Sequence, residues 1–492
     1  MKRLICCLLI GSFFSASEVR VFGERSGIAL APRVSQNLDL LEVWIKARMA
    51  FQGLPGVSIG IVDDDDLIYA KGFGLANVEK KKPMTSSTLY RIASHSKLFT
   101  AISIMQLRDE GKLRLEDPVK DHLPEFSIAI KHPNARPVTI RGLLTHSSGI
   151  PREAASAYWQ DFKFPTTAEV VERMKNQETI LPSGDRFKYS NLAYGLMGMI
   201  IEKKSGLSFA DYVEKNIMKP LGMDDSSVAI PDAHKAKLAV GYGRRMPDGS
   251  REVFPFVDAH ALAAATGVTS SVTDMAKFVS WQLRLRENGG NEVLAAATLR
   301  EMQRPQLIGD NWKHGRGLGF GVTYTEDRDL VGHGGLYPGY RTSTNVSVRE
   351  GVGVIVFGNS LDVDVYPGST WSISDRIFEW IIPAIKKARD GDKGESVKPD
   401  WKSLIGSYRM RYWDSHVMFL DGEMVLLNPN APNPKQSITP LEHVSGNTFK
   451  LMNKFRSVNY GSEGEPVTFD FGPDGKVKHL KVVDIVSTPI EF

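Results

Sequence analysis

The sequence predicts an α+β fold, in which an antiparallel sheet covered by helices is followed by a small all-β domain. Three observations carry this expectation. Strand-like apolar runs lie at both ends of residues 57–359, two helical stretches that are apolar on nearly every side lie between them, and beyond residue 400 the apolar segments are short and separated by turn dipeptides.

Leu38, Leu41, Trp44, Ile45 and Met49 recur at helical spacing, so residues 37–52 open the folded part as an amphipathic helix. Runs 57–62 and 67–71 flank Asp63-Asp64-Asp65-Asp66 and read as a hairpin. The four aspartates lack the spaced ligands and distal glutamate of a calcium loop, and read as a solvated turn. Residues 98–107 form a helix buried through the centre of a domain and ended by Gly111. A second such helix covers 192–204, with Gly206 where a left-handed cap needs glycine. Residues 341–359 read as two strands around Glu350-Gly351, and 374–387 as a closing helix. The polar, charged composition of 389–400 marks a linker between a domain over 35–388 and a β-meander or small barrel over 401–492.

With 492 residues, 42% apolar and 24% charged, the chain is an ordinary globular protein of two or three domains. A net charge of +4, from 61 basic and 57 acidic residues, gives too little field for a nucleic-acid partner. Met1-Lys2-Arg3, an apolar run to Phe14 and Ser15-Ala16-Ser17 have the order of an export signal over 1–17, which predicts a periplasmic or extracellular protein. No later apolar stretch is long enough to span a bilayer, so no membrane insertion is expected after the signal is removed. Both cysteines, Cys6 and Cys7, fall within that signal.

Ser94-His95-Ser96-Lys97 opens the first buried helix. A serine and a lysine three residues apart share a helix face, and partial burial makes the lysine amine a base for the hydroxyl. A serine in the first helical turn also lies near free backbone N–H groups. No other serine in the chain has lysine at that offset, and Tyr189-Ser190-Asn191 is the only tyrosine-x-asparagine. A tyrosine beside a lysine ammonium can accept the serine proton, and an asparagine amide can bind a substrate amide. His333-Gly334-Gly335 leads into a late strand, where the glycines would admit a ligand and the Leu336 N–H would be a second oxyanion donor opposite that of Ser94. His122, His132, His146 and His260 are scattered without metal-ligand spacing, and neither a metal nor another cofactor is expected. The stretch Thr145-His146-Ser147-Ser148-Gly149 lacks the leading glycine of a nucleophile elbow, which excludes an α/β-hydrolase.

Taken in this order, the three motifs resemble those of the serine β-lactamase and penicillin-binding protein superfamily, in particular its class C β-lactamase, DD-carboxypeptidase and D-aminopeptidase branch. The stretches 71–77, 143–150 and 332–339 resemble recurrent segments of the same family. The resemblance implies a helix-flanked antiparallel sheet plus a mostly helical lobe, with Ser94 as nucleophile, Lys97 and Tyr189 as its proton-transfer pair, and Asn191 as a substrate-amide ligand. His333, with Gly334 and Gly335, would bind the substrate's polar end. The C-terminal module resembles the β-barrel or lipocalin-like domains appended to some family peptidases. A histidine, neutral much of the time near pH 7, replaces the lysine usual in the third motif of class C β-lactamases. The expected activity is therefore that of a peptidase or amidase acting through an acyl-enzyme on a small-molecule or short-peptide substrate. An esterase, a weak β-lactamase and a non-catalytic penicillin-binding-type receptor are the alternatives on this scaffold, and oligomeric state is not read from the sequence.

Overall fold

A computed structural model describes residues 25–132, 134–326, 328–452 and 463–492; the expected export signal lies outside the described residues. Helix α1 (Pro32–Gln52) precedes the hairpin of β1 (Gly56–Asp63) and β2 (Asp66–Asn77), which is followed by the short β3 (Lys82–Pro83). The other strands of the same sheet come from much later: β4 (Leu307–Ile308), β5 (His314–Arg316), β6 (Gly321–Tyr324), β7 (Asp329–Tyr337), β8 (Tyr340–Ser347) and β9 (Val352–Gly358). The order across the sheet is β4-β5-β6-β7-β8-β9-β1-β2-β3, every pairing being antiparallel. The two ends of the region meet where β1 pairs β9, Val57 opposite Gly358 and Asp63 opposite Val352.

Strand periodicity decides which residues go to which face. Val57, Ile59 and Ile61 of β1 and Val352, Val354 and Val356 of β9 join one apolar cluster, while Ile355 and Phe357 of β9 join the other. The first cluster is covered by α1 and the closing helix α5 (Ile373–Arg389), where Trp44 meets Trp380 edge-on at 5.6 Å. The second is covered by α4 (Val272–Asn288) and a helical lobe built on α2 (Ser96–Asp109) and α3 (Asn191–Ser205). Helix α2 is buried on all sides because Leu98, Phe99, Ile102, Ile104 and Met105 project in every direction. Gly206 closes α3 at φ +73.

Beyond residue 405 eight strands close into an antiparallel barrel: β10 (Gly406–Arg409), β11 (Asp414–Leu420), β12 (Glu423–Leu427), β13 (Thr439–Ser445), β14 (Thr448–Leu451), β15 (Pro466–Phe471), β16 (Val477–Val482) and β17 (Ile485–Ile490). Phe419, Phe449, Phe469 and Leu480 form its core, and Ser407 opposite Ile490 completes the closure. Met418, Leu420, Val425 and Leu427 instead belong to the cluster under α1 and α5, and Trp44 Nε1 donates to Ala431 O at 3.0 Å, so the barrel is seated on the main domain. The stretch read as a linker is held in place: Arg33 pairs with Asp392 at 2.8 Å and Gln36 donates to Glu395 O at 2.6 Å.

Candidate active site

Ser94 lies in a short 3-10 turn, Ala93–His95, that feeds directly into α2, one step ahead of the helical turn expected from the sequence. Ala93 has φ +52, a left-handed conformation that costs an alanine about 1–2 kcal/mol. That turn aims the half-buried Ser94 into a cavity of about 940 Å³ between the lobe and the sheet.

Two groups from separate segments converge on Ser94 Oγ. Lys97 Nζ, one helical turn away on α2, is at 3.2 Å, and the Tyr189 hydroxyl, on the loop leading into α3, donates from 2.8 Å. Lys97 is fully buried, and its other two contacts are donated to Asn191 Oδ1 at 2.9 Å and Ala265 O at 2.8 Å. Burial holds the Lys97 amine well below the ordinary lysine range; the Glu153 carboxylate pulls it up and Arg152 pushes it down. Burial likewise pushes the Tyr189 phenol up to about 12, against the hydrogen bond to Ser94 and the nearby arginines. Burial thus favours a neutral amine, the form expected of a partly buried lysine, together with a neutral phenol rather than the proton-accepting tyrosine that a lysine ammonium would favour.

The loop carrying Tyr189 is framed by the segment 143–153. Lys188 N–H donates to His146 O at 2.7 Å, Ser190 N–H to His146 Nδ1 at 3.1 Å, and Asn191 N–H to Arg152 O at 2.8 Å. The buried His146 ring lies 4.3 Å from that of Tyr189 and packs against it, supporting the tyrosine that lines the cavity. Asn191 departs furthest from its expected surroundings. Its Oδ1 is taken by Lys97 and its Nδ2 donates to both Glu153 carboxylate oxygens, at 2.9 and 3.1 Å, so both ends of the amide are occupied by protein.

Across the cavity runs β7. Strand β6 pairs only with its residues 329–332, leaving the edge from His333 onward open to the cavity. Tyr337 and Tyr340 close a two-residue turn, and in the alternating antiparallel ladder Leu336, opposite Arg341, then points its N–H toward that open edge. The glycines are also required by packing. A Cβ at Gly335 would stand 2.3 Å from Ile92 O and from Thr342 Oγ1, so only glycine lets the strand press against the nucleophile's turn. A Cβ at Gly334 would stand 2.5 Å from the Tyr366 ring, whose hydroxyl donates to Gly335 O at 2.6 Å.

His333 Nδ1 is 2.6 Å from Gly334 O; a carbonyl only accepts, so Nδ1 carries the proton and Nε2 is the acceptor. Burial, then Lys97, His95 and Arg316, hold this ring well below the usual histidine range. The fixed positive charge belongs to Arg316 on β5, which lines the cavity over Phe187 at 4.7 Å; among the described residues no hydrogen bond or ion pair holds its guanidinium. Glu153, Arg316 and Tyr366 escape sequence reasoning. Only Glu153 carried a signal, its place just beyond the family-like stretch 143–150. No group of three or more metal-ligating side chains occurs among the described residues, and no helix among them is long and apolar enough to cross a membrane.

Over 305 residues the chain is 30% identical to beta-lactamase-like protein 2 of Dictyostelium discoideum, covering 61% of this chain and 55% of that protein. Over 308 residues it is 28% identical to protein flp of Staphylococcus aureus, covering 62% and 60% respectively. The chain therefore spans little more than half the length of these curated relatives. The structure of the octameric penicillin-binding protein homologue from Pyrococcus abyssi superposes with a TM-score of 0.60 at 28% identity, over 92% of this chain and 99% of that one. The Beta-lactamase family model matches residues 41–371, well over half of the sequence, and the chain belongs to that family, within the serine β-lactamase and penicillin-binding protein superfamily.

Proposed function

We propose that the protein is a serine hydrolase that cleaves amide or ester bonds through an acyl-enzyme on Ser94, acting as a peptidase or amidase. One observation carries the reading: Lys97 Nζ and the Tyr189 hydroxyl both reach Ser94 Oγ, at 3.2 and 2.8 Å, on the wall of one cavity. A neutral lysine amine has two N–H bonds and one lone pair. With its hydrogens donated to Asn191 Oδ1 and Ala265 O, the lone pair is left for the Ser94 proton. Lys97 takes that proton as Ser94 Oγ attacks the carbonyl, and the oxyanion is received by the N–H groups of Ser94 and Leu336. Tyr189 protonates the departing amine or alkoxide as the C–N or C–O bond breaks, and recovers its proton from Lys97. Water then follows the reverse route and releases the acid.

Asn191 acts in this scheme as the clamp that orients Lys97. Arg316 takes the role of the missing third-motif lysine, meeting an anionic group on the leaving portion, while neutral His333 offers Nε2 as an acceptor. The test is a panel of D-aminoacyl anilides, a D-Ala-D-Ala peptide, a chromogenic cephalosporin and short-chain esters, run beside Ser94→Ala and Tyr189→Phe. Sustained turnover by wild type, lost in Ser94→Ala and reduced about 100-fold or more in Tyr189→Phe, supports the hydrolase. A single stoichiometric acylation without turnover overturns it in favour of a receptor.

A further inference from the structure

The cavity around Ser94 has two chemically different ends. At one end Arg316 of β5 stands in register with Gly321 of β6 and Gly332 of β7, with Phe187 beneath its guanidinium. At the other, Trp159, Phe162, Phe254, Leu336 and Tyr337 form an apolar wall. Trp159 meets Tyr337 edge-on at 5.9 Å and Phe162 meets Phe254 edge-on at 5.8 Å, so these rings brace one another. Leu336 is 58% exposed, although it lies on the strand beside the nucleophile. Gly332 and Tyr337 are five residues apart on one strand, about 16 Å at ~3.3 Å per residue. Ser94 lies between the two ends, because Gly335 presses on Ile92 and Ala93. The other charges that line the cavity are already compensated: Glu153 accepts from Asn191, Tyr158 and Arg152, and Arg152 lies over the Tyr189 ring at 4.9 Å.

The direction of the substrate follows from the proton route, and so rests on the hydrolase reading above. The leaving group is protonated by Tyr189, whose ring neighbours Phe187 at 6.5 Å and hence the Arg316 end. It departs on that side, and the acyl portion is left facing the aromatic wall. We infer that the Trp159–Tyr337 wall is an acyl-group subsite, and that the enzyme selects substrates whose acyl part is a bulky apolar group, aromatic or of several carbons, rather than acetyl. A partly exposed apolar wall lining the cavity gains only by burying apolar surface, and hydrophobic pockets discriminate by about 10- to 200-fold per added group.

Two p-nitrophenyl esters with the same leaving group, the acetate and the phenylacetate, isolate the acyl end. Each kcat/KM is divided by the ester's own hydroxide-catalysed rate. The expected ratio of phenylacetate to acetate is at least about tenfold in wild type and Trp159→Phe, falling below threefold in Trp159→Ala. A ratio within one variant does not depend on how much of it is folded. Labelling of Ser94 by an alkyl fluorophosphonate is measured in parallel. Labelling and turnover with a flat wild-type ratio, or with a ratio unchanged in Trp159→Ala, overturn the acyl subsite alone. Absence of both labelling and turnover overturns the hydrolase reading and the subsite with it.

Discussion

Replacing Gly335 by alanine tests the packing of the β7 edge against the nucleophile. The added methyl would lie 2.3 Å from Ile92 O and from Thr342 Oγ1, and both are fixed, the first as backbone and the second as a buried side chain. An ordinary contact needs about 3.5 Å, so the strand must retreat by roughly 1 Å. The Leu336 N–H moves with it, away from the N–H of Ser94. Misplacing a catalytic group by that distance costs about 100-fold, and complete loss of one oxyanion donor about 100- to 1,000-fold. Overpacking costs a further 1–3 kcal/mol or so of stability, which a domain of this size tolerates. The assay is kcat/KM on the best ester or amide from the substrate panel, together with a thermal melt to confirm folding. A folded Gly335→Ala protein within threefold of wild type would refute the reasoning, because the strand would then not be what places the second donor.

Three other outcomes follow from the same geometry. The neutral Lys97 amine is the active form, so kcat/KM falls as pH drops through its pKa; after burial, the Glu153 charge is the main influence and raises that pKa, so Glu153→Gln should move the acid limb of the pH profile to lower pH. Burial depresses the folded Lys97 pKa below its unfolded value, so between the two the unfolded chain binds more protons and stability rises with pH. The difference in unfolding free energy between wild type and Lys97→Met, measured by denaturant titration from pH 7 to 9.5, should accordingly shift toward wild type, by up to about 1.4 kcal/mol per pH unit. Gly334→Ala collides with the Tyr366 ring 2.5 Å away, so its activity loss should exceed tenfold alone but shrink below threefold in a Tyr366→Ala background, a coupling read from a double-mutant cycle.

Several of these features could be read in the chain before it was folded, and others could not. The apolar runs that became β1, β9 and the buried α2 and α3 are local patterns, and their lengths and the turn residues that bound them sufficed to mark the elements. Ser94 and Lys97 share one helical turn, so their approach is also local. Tyr189 reaches Ser94 across 95 positions, and sequence order marked it as a candidate, but only folding established a 2.8 Å hydrogen bond. Glu153, Arg316 and Tyr366 carried no readable role, because each acts through a partner brought in by the path of a loop or a strand edge.

By itself, then, the sequence determined the periodicities, the turn residues and the three ordered motifs, since these depend on spacing along the backbone. Tertiary structure alone decided the burial that lowers the pKa of Lys97 and His333 and raises that of Tyr189, the capture of Asn191 by protein partners, the packing of two adjacent glycines and the two unlike ends of the cavity. The physical reason is common to all of them. Desolvation, steric contact and electrostatic pairing depend on distances through space, and those distances exist only once remote segments have been packed together.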